Sequence, residues 1–334
     1  MVKKEPTVKT IISFKIDFYL LSFINIIMSD KIPKPILKWV GGKTQIIDKI
    51  TLEFPTKMNN YYEQFLGGGS VLLAFLYKVK NGTIKVNEKI YASDLNEPLV
   101  YTYINIQKNH LKLYQEIQKL ITEFYNCNET TDKVNRKPQN ITEAKESPEN
   151  YYYWIRTLYN NQTPEEKKSV TGSAMFIFLN KTCFRGVFRV GPNGFNVPFG
   201  HYKKPEIINK EHLQEIHELI QNVIFSCNDF RKTLENIKKG DYIYLDPPYA
   251  PETKTSFVSY TKEGFNIDTH TTLFDLIHKL TQKSIKVMMS NSKVSLVCDN
   301  FEKPGFTVIP ILCKRSINSK NPSAKTMEVI IKNY

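Results

Sequence analysis

The run Tyr242-Ile243-Tyr244-Leu245 stops at Asp246-Pro247-Pro248-Tyr249. Aromatic and aliphatic residues without a break read as a buried strand, and two prolines end it because proline donates no hydrogen bond to a ladder. Such a strand delivers Asp246 into the crevice beyond its own end, where open α/β sheets bind ligands. Two other segments are built alike. Tyr61 to Phe65 reads as a strand that enters the turn Leu66-Gly67-Gly68-Gly69-Ser70 and an apolar helix from Val71 to Leu76, while Lys89 to Asp94 reads as a strand ending in an acid. A strand, a glycine turn and a helix make the first half of a nucleotide-type crevice, and the acid stands where dinucleotide-binding folds place a ribose carboxylate. The Gly-x-Gly-x-x-Gly fingerprint is absent, and taken alone the glycines read rather as a tight turn and Asp94 as the cap of the helix beginning near Pro98.

The rest of the chain keeps alternating. Helices are predicted over Leu99 to Tyr125, Tyr151 to Tyr159, Ser169 to Phe178, Lys210 to Gln221 and His270 to Lys283, with a polar excursion over Asn126 to Asn150. Strands are predicted over Asn222 to Phe230 and Ile285 to Asn291, and Phe306 to Cys313 with Met327 to Tyr334 forms a terminal hairpin around the basic Lys314 to Lys325. Strands that alternate with helices imply an α/β fold with a largely parallel, doubly wound sheet. At 334 residues the chain holds one large domain, or one domain with an insertion.

Charge and cysteines narrow the class. A net charge of +13 suggests a polyanionic partner, nucleic acid first, although a Lys-rich composition alone could produce it. The five cysteines, Cys127, Cys183, Cys227, Cys298 and Cys313, form no Cys-x-x-Cys pair and read as reduced thiols of an intracellular protein. No metal-ligand spacing is visible, so no metal is expected. Ile11 to Met28 is apolar enough to suggest a signal anchor, but Lys15 and Asp17 interrupt it. We expect no membrane span, and read residues 1–30 as an N-terminal extension with the natural start at Met28. N-terminal sequencing of protein from the native gene would reject this by finding Met1 or Val2.

The chemistry at Asp246 is specific. Its carboxylate and the rigidly held carbonyl of Pro247 are two acceptors, and Tyr249 supplies a flat face. Together they suit a planar substrate bearing an NH2 group, adenine or cytosine. Upstream, Lys38-Trp39-Val40-Gly41-Gly42-Lys43-Thr44 lets a ligand approach two glycines, with Lys43 in reach of a carboxylate and Trp39 of a ring. A phosphate-binding loop would need a glycine where Leu37 stands. Between Asn180 and Lys204 lie Lys181, Arg185, Arg189, Lys203 and Lys204 with no acid, and Gly191-Pro192-Asn193-Gly194 reads as a hairpin turn. A basic hairpin with interleaved aromatics can track phosphates and set an arginine on a guanine edge.

Lys38 to Lys43, Glu63 to Ser70, Asp94, Phe195 to Lys203 and Asp246 to Tyr249 together resemble the Dam-like adenine-N6 DNA methyltransferases of the D12, or alpha, class. The resemblance runs from about Pro35 to the C-terminus. It implies a Rossmann-like methyltransferase sheet over 31–110 and 220–334, with an inserted helical and hairpin DNA-recognition domain over 111–219. It implies S-adenosyl-L-methionine as cofactor, held by Trp39, Lys43, Phe65, Gly67, Asp94 and Asp246, with Asp246, Pro247, Pro248 and Tyr249 as the catalytic motif. Double-stranded DNA is the implied partner. Arg189 matches the arginine that reads a guanine in GATC-specific members, and Lys38, Pro198 and Tyr202 match other DNA-contacting positions, joined here by Arg185 and Lys203 of the basic hairpin. The chain departs from those members at Arg185-Gly186-Val187, where they usually carry Asn-Gly-Leu, so GATC, CATG and similar sites stay open. A role as a restriction-modification methylase is expected, with the cognate endonuclease a separate protein, a monomer or weak dimer as the working form, and the cytoplasm or a viral replication compartment as its place. Direct transfer needs no cysteine nucleophile, and Cys183 is expected to pack in the base of the hairpin. The alternatives are cytosine-N4 methylation, glutamine methylation, which usually goes with Asn before Pro-Pro-Tyr, and an inactive DNA-binding module.

Overall fold

Tyr242–Leu245 is buried at all four positions, so neither of its faces meets water. A strand of that kind belongs in the middle of a sheet covered on both sides. In the computed structural model, which describes residues 31–128, 134–251, 265–314 and 325–334, it lies at the centre of a seven-stranded sheet. Lys34–Tyr334 forms one compact unit. The extension over 1–30 and its expected start at Met28 lie outside the described residues, as does most of the basic stretch before Lys325.

In chain order the strands are β1 (Tyr61–Gln64), β2 (Ile90–Asp94), β3 (Val223–Cys227), β4 (Tyr242–Leu245), β5 (Lys286–Ser292), β6 (Thr307–Lys314) and β7 (Lys325–Lys332). Across the sheet they run β6-β7-β5-β4-β1-β2-β3, and β7 runs opposite to the other six. The chain leaves β1 toward β2 and β3, then returns to build outward from β4. The order therefore reverses between β1 and β4, and at such a switch point the two following loops diverge and leave a crevice. Gln64 and Leu245 are register partners, so Phe65 and Asp246 emerge side by side at that crevice.

Alternation along β4 fills both layers. Ile243 and Leu245 join Leu273, Phe274 and Ile277 in one core cluster, whereas Tyr242 meets Phe54 and Tyr61 on the other face, where Tyr61 stacks on Phe75 at 3.6 Å. The longer helices are α1 (Ser70–Lys80), α2 (Glu97–Tyr125), α3 (Pro148–Asn161), α4 (Val170–Thr182), α5 (Lys210–Leu219) and α6 (Ile267–Gln282).

The expected elements are present with shifted ends, and side-chain caps explain the shifts. Helix α3 starts at Pro148 rather than Tyr151 because the Ser147 hydroxyl accepts the Asn150 N–H at 3.1 Å and proline suits the first turn. The polar excursion also contains a short helix, Ile141–Ala144, capped by Asn140. The cap of α2 is Asn96, which accepts from Leu99, and not Asp94. Helix α2 runs through the expected start of the insertion and leaves helical geometry at Asn109, where φ is −139° and ψ 26°. Helices α3 and α4 pack against α2, with Asn105 before the bend donating to Ser173 of α4 at 2.9 Å, and the hairpin pairs Val190–Gly191 with Gly194–Phe195. Among the described residues, no helix is long and apolar enough to cross a membrane.

Candidate active site

Strand β4 ends at Leu245, and the next residue, Asp246, meets a cation from the other end of the chain. Lys43 is 4% exposed and its ammonium lies 2.8 Å from Asp246 Oδ2. The same nitrogen donates to the Gly41 carbonyl at 2.5 Å and sits 4.8 Å from the centre of the Tyr249 ring. Its backbone is held too, because the Lys43 N–H donates to Ser70 Oγ at 3.0 Å, in the first turn of α1. Asp246 Oδ1 is buried and has no hydrogen-bond partner among the described residues. A buried acceptor without a donor costs about 1–3 kcal/mol, so it marks a place where a ligand N–H would be welcome. Burial pushes the Asp246 carboxyl up to about 6, against the pull of Lys43, while Glu328 adds to the rise. The loop after it is fixed to β5: the Ala250 N–H donates to Asn291 Oδ1 at 2.9 Å, and Ser292 Oγ donates to the Ala250 carbonyl at 2.7 Å.

The turn after β1 is left-handed at Phe65 (φ 67°), Gly67 (φ 50°) and Gly69 (φ 73°). Gly67 has a second reason to be glycine, since a Cβ there would lie 2.9 Å from Trp39 Cδ1. Its N–H donates to Asp94 Oδ2 at 2.9 Å, and the Asn96 N–H donates to Oδ1 at 2.9 Å, so Asp94 ties the end of β2 to the β1 turn. Burial raises the Asp94 carboxyl and those N–H bonds oppose the rise. The Phe65 ring joins Phe230 and Phe265 at 5.7 Å each. Trp39, Phe65, Gly67 and Asp94 thus meet at the ends of β1 and β2, beside Lys43 and Asp246.

The expected DNA-facing residues divide into two groups. At the base of the hairpin the Lys38 ammonium lies 3.9 Å above the Tyr202 ring and 3.4 Å from the Lys181 carbonyl. Asn180, buried on α4, clamps that junction: it accepts the Lys38 N–H at 2.9 Å and donates to the Lys38 and Gly186 carbonyls at 2.8 and 3.2 Å. Along the hairpin, Phe195, Val197 and Phe199 are buried while Asn196 and Pro198 are exposed. Tyr152 and Asn160 of α3 bond the backbone at Val197 and Phe195 and hold that strand down. Arg185, Arg189 and Lys203 are exposed; Arg185 adopts φ 56°, and Arg189 Nε donates to Asn196 Oδ1 at 2.7 Å. Cys183 is buried in the hairpin base, bridged to Phe199, and burial pushes its thiol up to about 12.

Sequence reasoning assigned no role to Ser70, Asn180, Asn291, Ser292 or Glu328. Asn180 alone carried a signal, as an amide ending the apolar run Phe176-Ile177-Phe178-Leu179, since buried polar groups need partners. Asn180→Ala is expected to lower stability by about 1–3 kcal/mol, measured by urea unfolding, because it strands the Lys38 N–H and two carbonyls.

Residues 39–317 match the family described as D12 class N6 adenine-specific DNA methyltransferase. The chain is 36% identical to the type II methyltransferase M.MjaIII of Methanocaldococcus jannaschii, over 90% of this chain and 99% of that one. It is 29% identical to the type II methyltransferase M1.LlaDCHI of Lactococcus lactis, over 93% and 99%. A DNA adenine methylase of Haemophilus influenzae is 30% identical, over 87% of this chain and 90% of that one.

Proposed function

The chain belongs to the D12 class N6 adenine-specific DNA methyltransferases, and from that membership we propose how its own residues bind and methylate an adenine. The observation that carries this reading is Asp246, with one oxygen paired to Lys43 and the other buried and without a partner among the described residues, at the sheet's switch point. Adenine leaves the duplex and enters this pocket, because its N6 cannot be reached inside the stack. Its N6 hydrogens meet Asp246 Oδ1 and the Pro247 carbonyl, and its ring stacks on Tyr249 while Pro248 stiffens the turn. Held in this way, the amine presents its lone pair out of the ring plane, so attack is direct and in line. S-adenosyl-L-methionine, when bound, supplies a methyl group on a positively charged sulfur. Trp39, Lys43, Phe65, Gly67, Asp94 and Asp246 are the residues to hold it. Their fit is supported by the β1 turn, where Gly67 leaves no room for a Cβ beside Trp39 and the Phe65 ring joins two further aromatics.

The stretch 111–219 acts as the target-recognition insertion, and 31–110 with 220–334 as the catalytic part. Arg189, oriented by Asn196, reads a guanine edge, and Lys38, Arg185, Pro198, Tyr202 and Lys203 follow the backbone and flanking bases of a short site such as GATC or CATG. The likeness to type II methyltransferases supports a role in restriction-modification, and we propose that the chain acts inside the cell, beside a separate endonuclease, as a monomer or weak dimer. With Lys38, Arg185 and Lys203 on phosphates, DNA affinity is expected to fall by roughly 40-fold between 50 and 200 mM salt, read by fluorescence anisotropy.

The deciding experiment is methyl transfer from labelled S-adenosyl-L-methionine to unmethylated DNA of varied sequence, scoring both the modified base and its context. N6-methyladenine in one short site is expected. N4-methylcytosine would overturn the base assignment, and no transfer by folded protein that still binds DNA would leave a binding module.

A further inference from the structure

The Tyr249 phenol donates to Glu328 Oε2 at 2.6 Å, and no step above uses that carboxylate. Glu328 lies on β7, in register between Ser292 of β5 and Ile311 of β6, so the sheet itself fixes where it stands. The backbone on the other side of the ring is fixed as well, through the bonds of Ala250 to Asn291 and Ser292. Tyr249 is therefore held at both ends. A phenolic O–H lies in the plane of its ring, so an acceptor at the tip selects the rotation of the ring as well as its tilt. A stacking plate with free rotation would lose part of its contact with a planar base in most orientations.

We propose that Glu328 is a positioning residue for methyl transfer: its carboxylate holds the Tyr249 ring in the orientation on which the target base stacks. This rests on the reading of Tyr249 as the stacking plate. Burial and the neighbouring carboxylates of Asp246 and Glu328 hold the phenol well above its ordinary range, so it remains a donor at working pH. The Lys43 ammonium, 4.8 Å from the ring centre, is a further contact on the same side chain.

The test is single-turnover methyl transfer by wild type, Glu328→Ala, Glu328→Gln, Tyr249→Phe and the Glu328→Ala/Tyr249→Phe pair, each with its cofactor dissociation constant. Loss of one charge-assisted hydrogen bond is expected to slow transfer by about ten-fold with cofactor binding unchanged. Glu328→Gln, whose amide oxygen still accepts, should recover most of the rate. Because both single changes delete the same bond, the pair should be no slower than either alone. Multiplied losses in the pair, or a wild-type rate in Glu328→Ala or Tyr249→Phe, would overturn the assignment. Should Glu328→Ala fail to fold, Tyr249→Phe cuts the bond from the other side and still decides. A wild-type chain that transfers no methyl group would instead overturn the functional reading on which the assignment rests.

Discussion

Asp246→Ala is expected to slow single-turnover methyl transfer by about 10³-fold while DNA affinity stays near wild type. The size follows from what the side chain does. Asp246 Oδ1 is a buried acceptor with no partner among the described residues, aligned beside the β1 turn where the base and the methyl donor would meet. Preorganised acceptors act on the transition state in a site that excludes water, and removing one costs far more than a hydrogen bond in solvent. Asp246→Asn should be nearly as slow. Its amide would present N–H groups to the N6 hydrogens in one orientation, and to the Lys43 ammonium in the other. Rapid-quench transfer with saturating cofactor, alongside a DNA titration, is the measurement. Turnover within a few-fold of wild type in folded Asp246→Ala would mean that the carboxylate is not the acceptor.

Lys43→Met is expected to move the acid limb of the pH–rate profile upward by about one to two pH units. In the wild type, burial raises the Asp246 carboxyl to about 6 and the Lys43 ammonium, 2.8 Å away, restrains the rise. The ionised carboxylate is the form that accepts from N6, so kcat/KM falls as pH drops through about 6. Removing the cation leaves burial and Glu328 unopposed, both of which push the carboxyl up. The variant should then lose most at pH 7 and regain rate toward higher pH. The position of the limb is independent of its plateau, so weaker cofactor binding in the same variant would not hide the shift. An unmoved limb would show that Lys43 does not set the Asp246 ionisation.

Much of this was legible in the residues. Strands announce themselves locally: Tyr242–Leu245 is apolar throughout because it is buried on both faces, and Asp-Pro-Pro ends it because proline cannot extend a ladder. The glycine turn after β1 is similarly local, since a left-handed backbone at Gly67 and Gly69 favours glycine. Element ends were less legible. Ser147 and Asn96 cap their helices through single side-chain bonds, and several nearby Ser, Asn and Asp residues could have done so equally well.

The sequence by itself determined the sheet, its terminal acids and the kind of ligand they suit, because those depend on neighbours along the chain. Which groups face each other across the crevice was decided only by the tertiary structure. Asn180 meets Lys38 across 142 positions of chain, and Tyr249 meets Glu328 across 79. Neither pair has a local pattern, because a hydrogen bond between distant elements leaves no period in the residues between them. The second contact follows from strand order, which places β7 beside β5, and the first from the packing of α4 against the segment before Gly41; both are properties of the packed molecule as a whole.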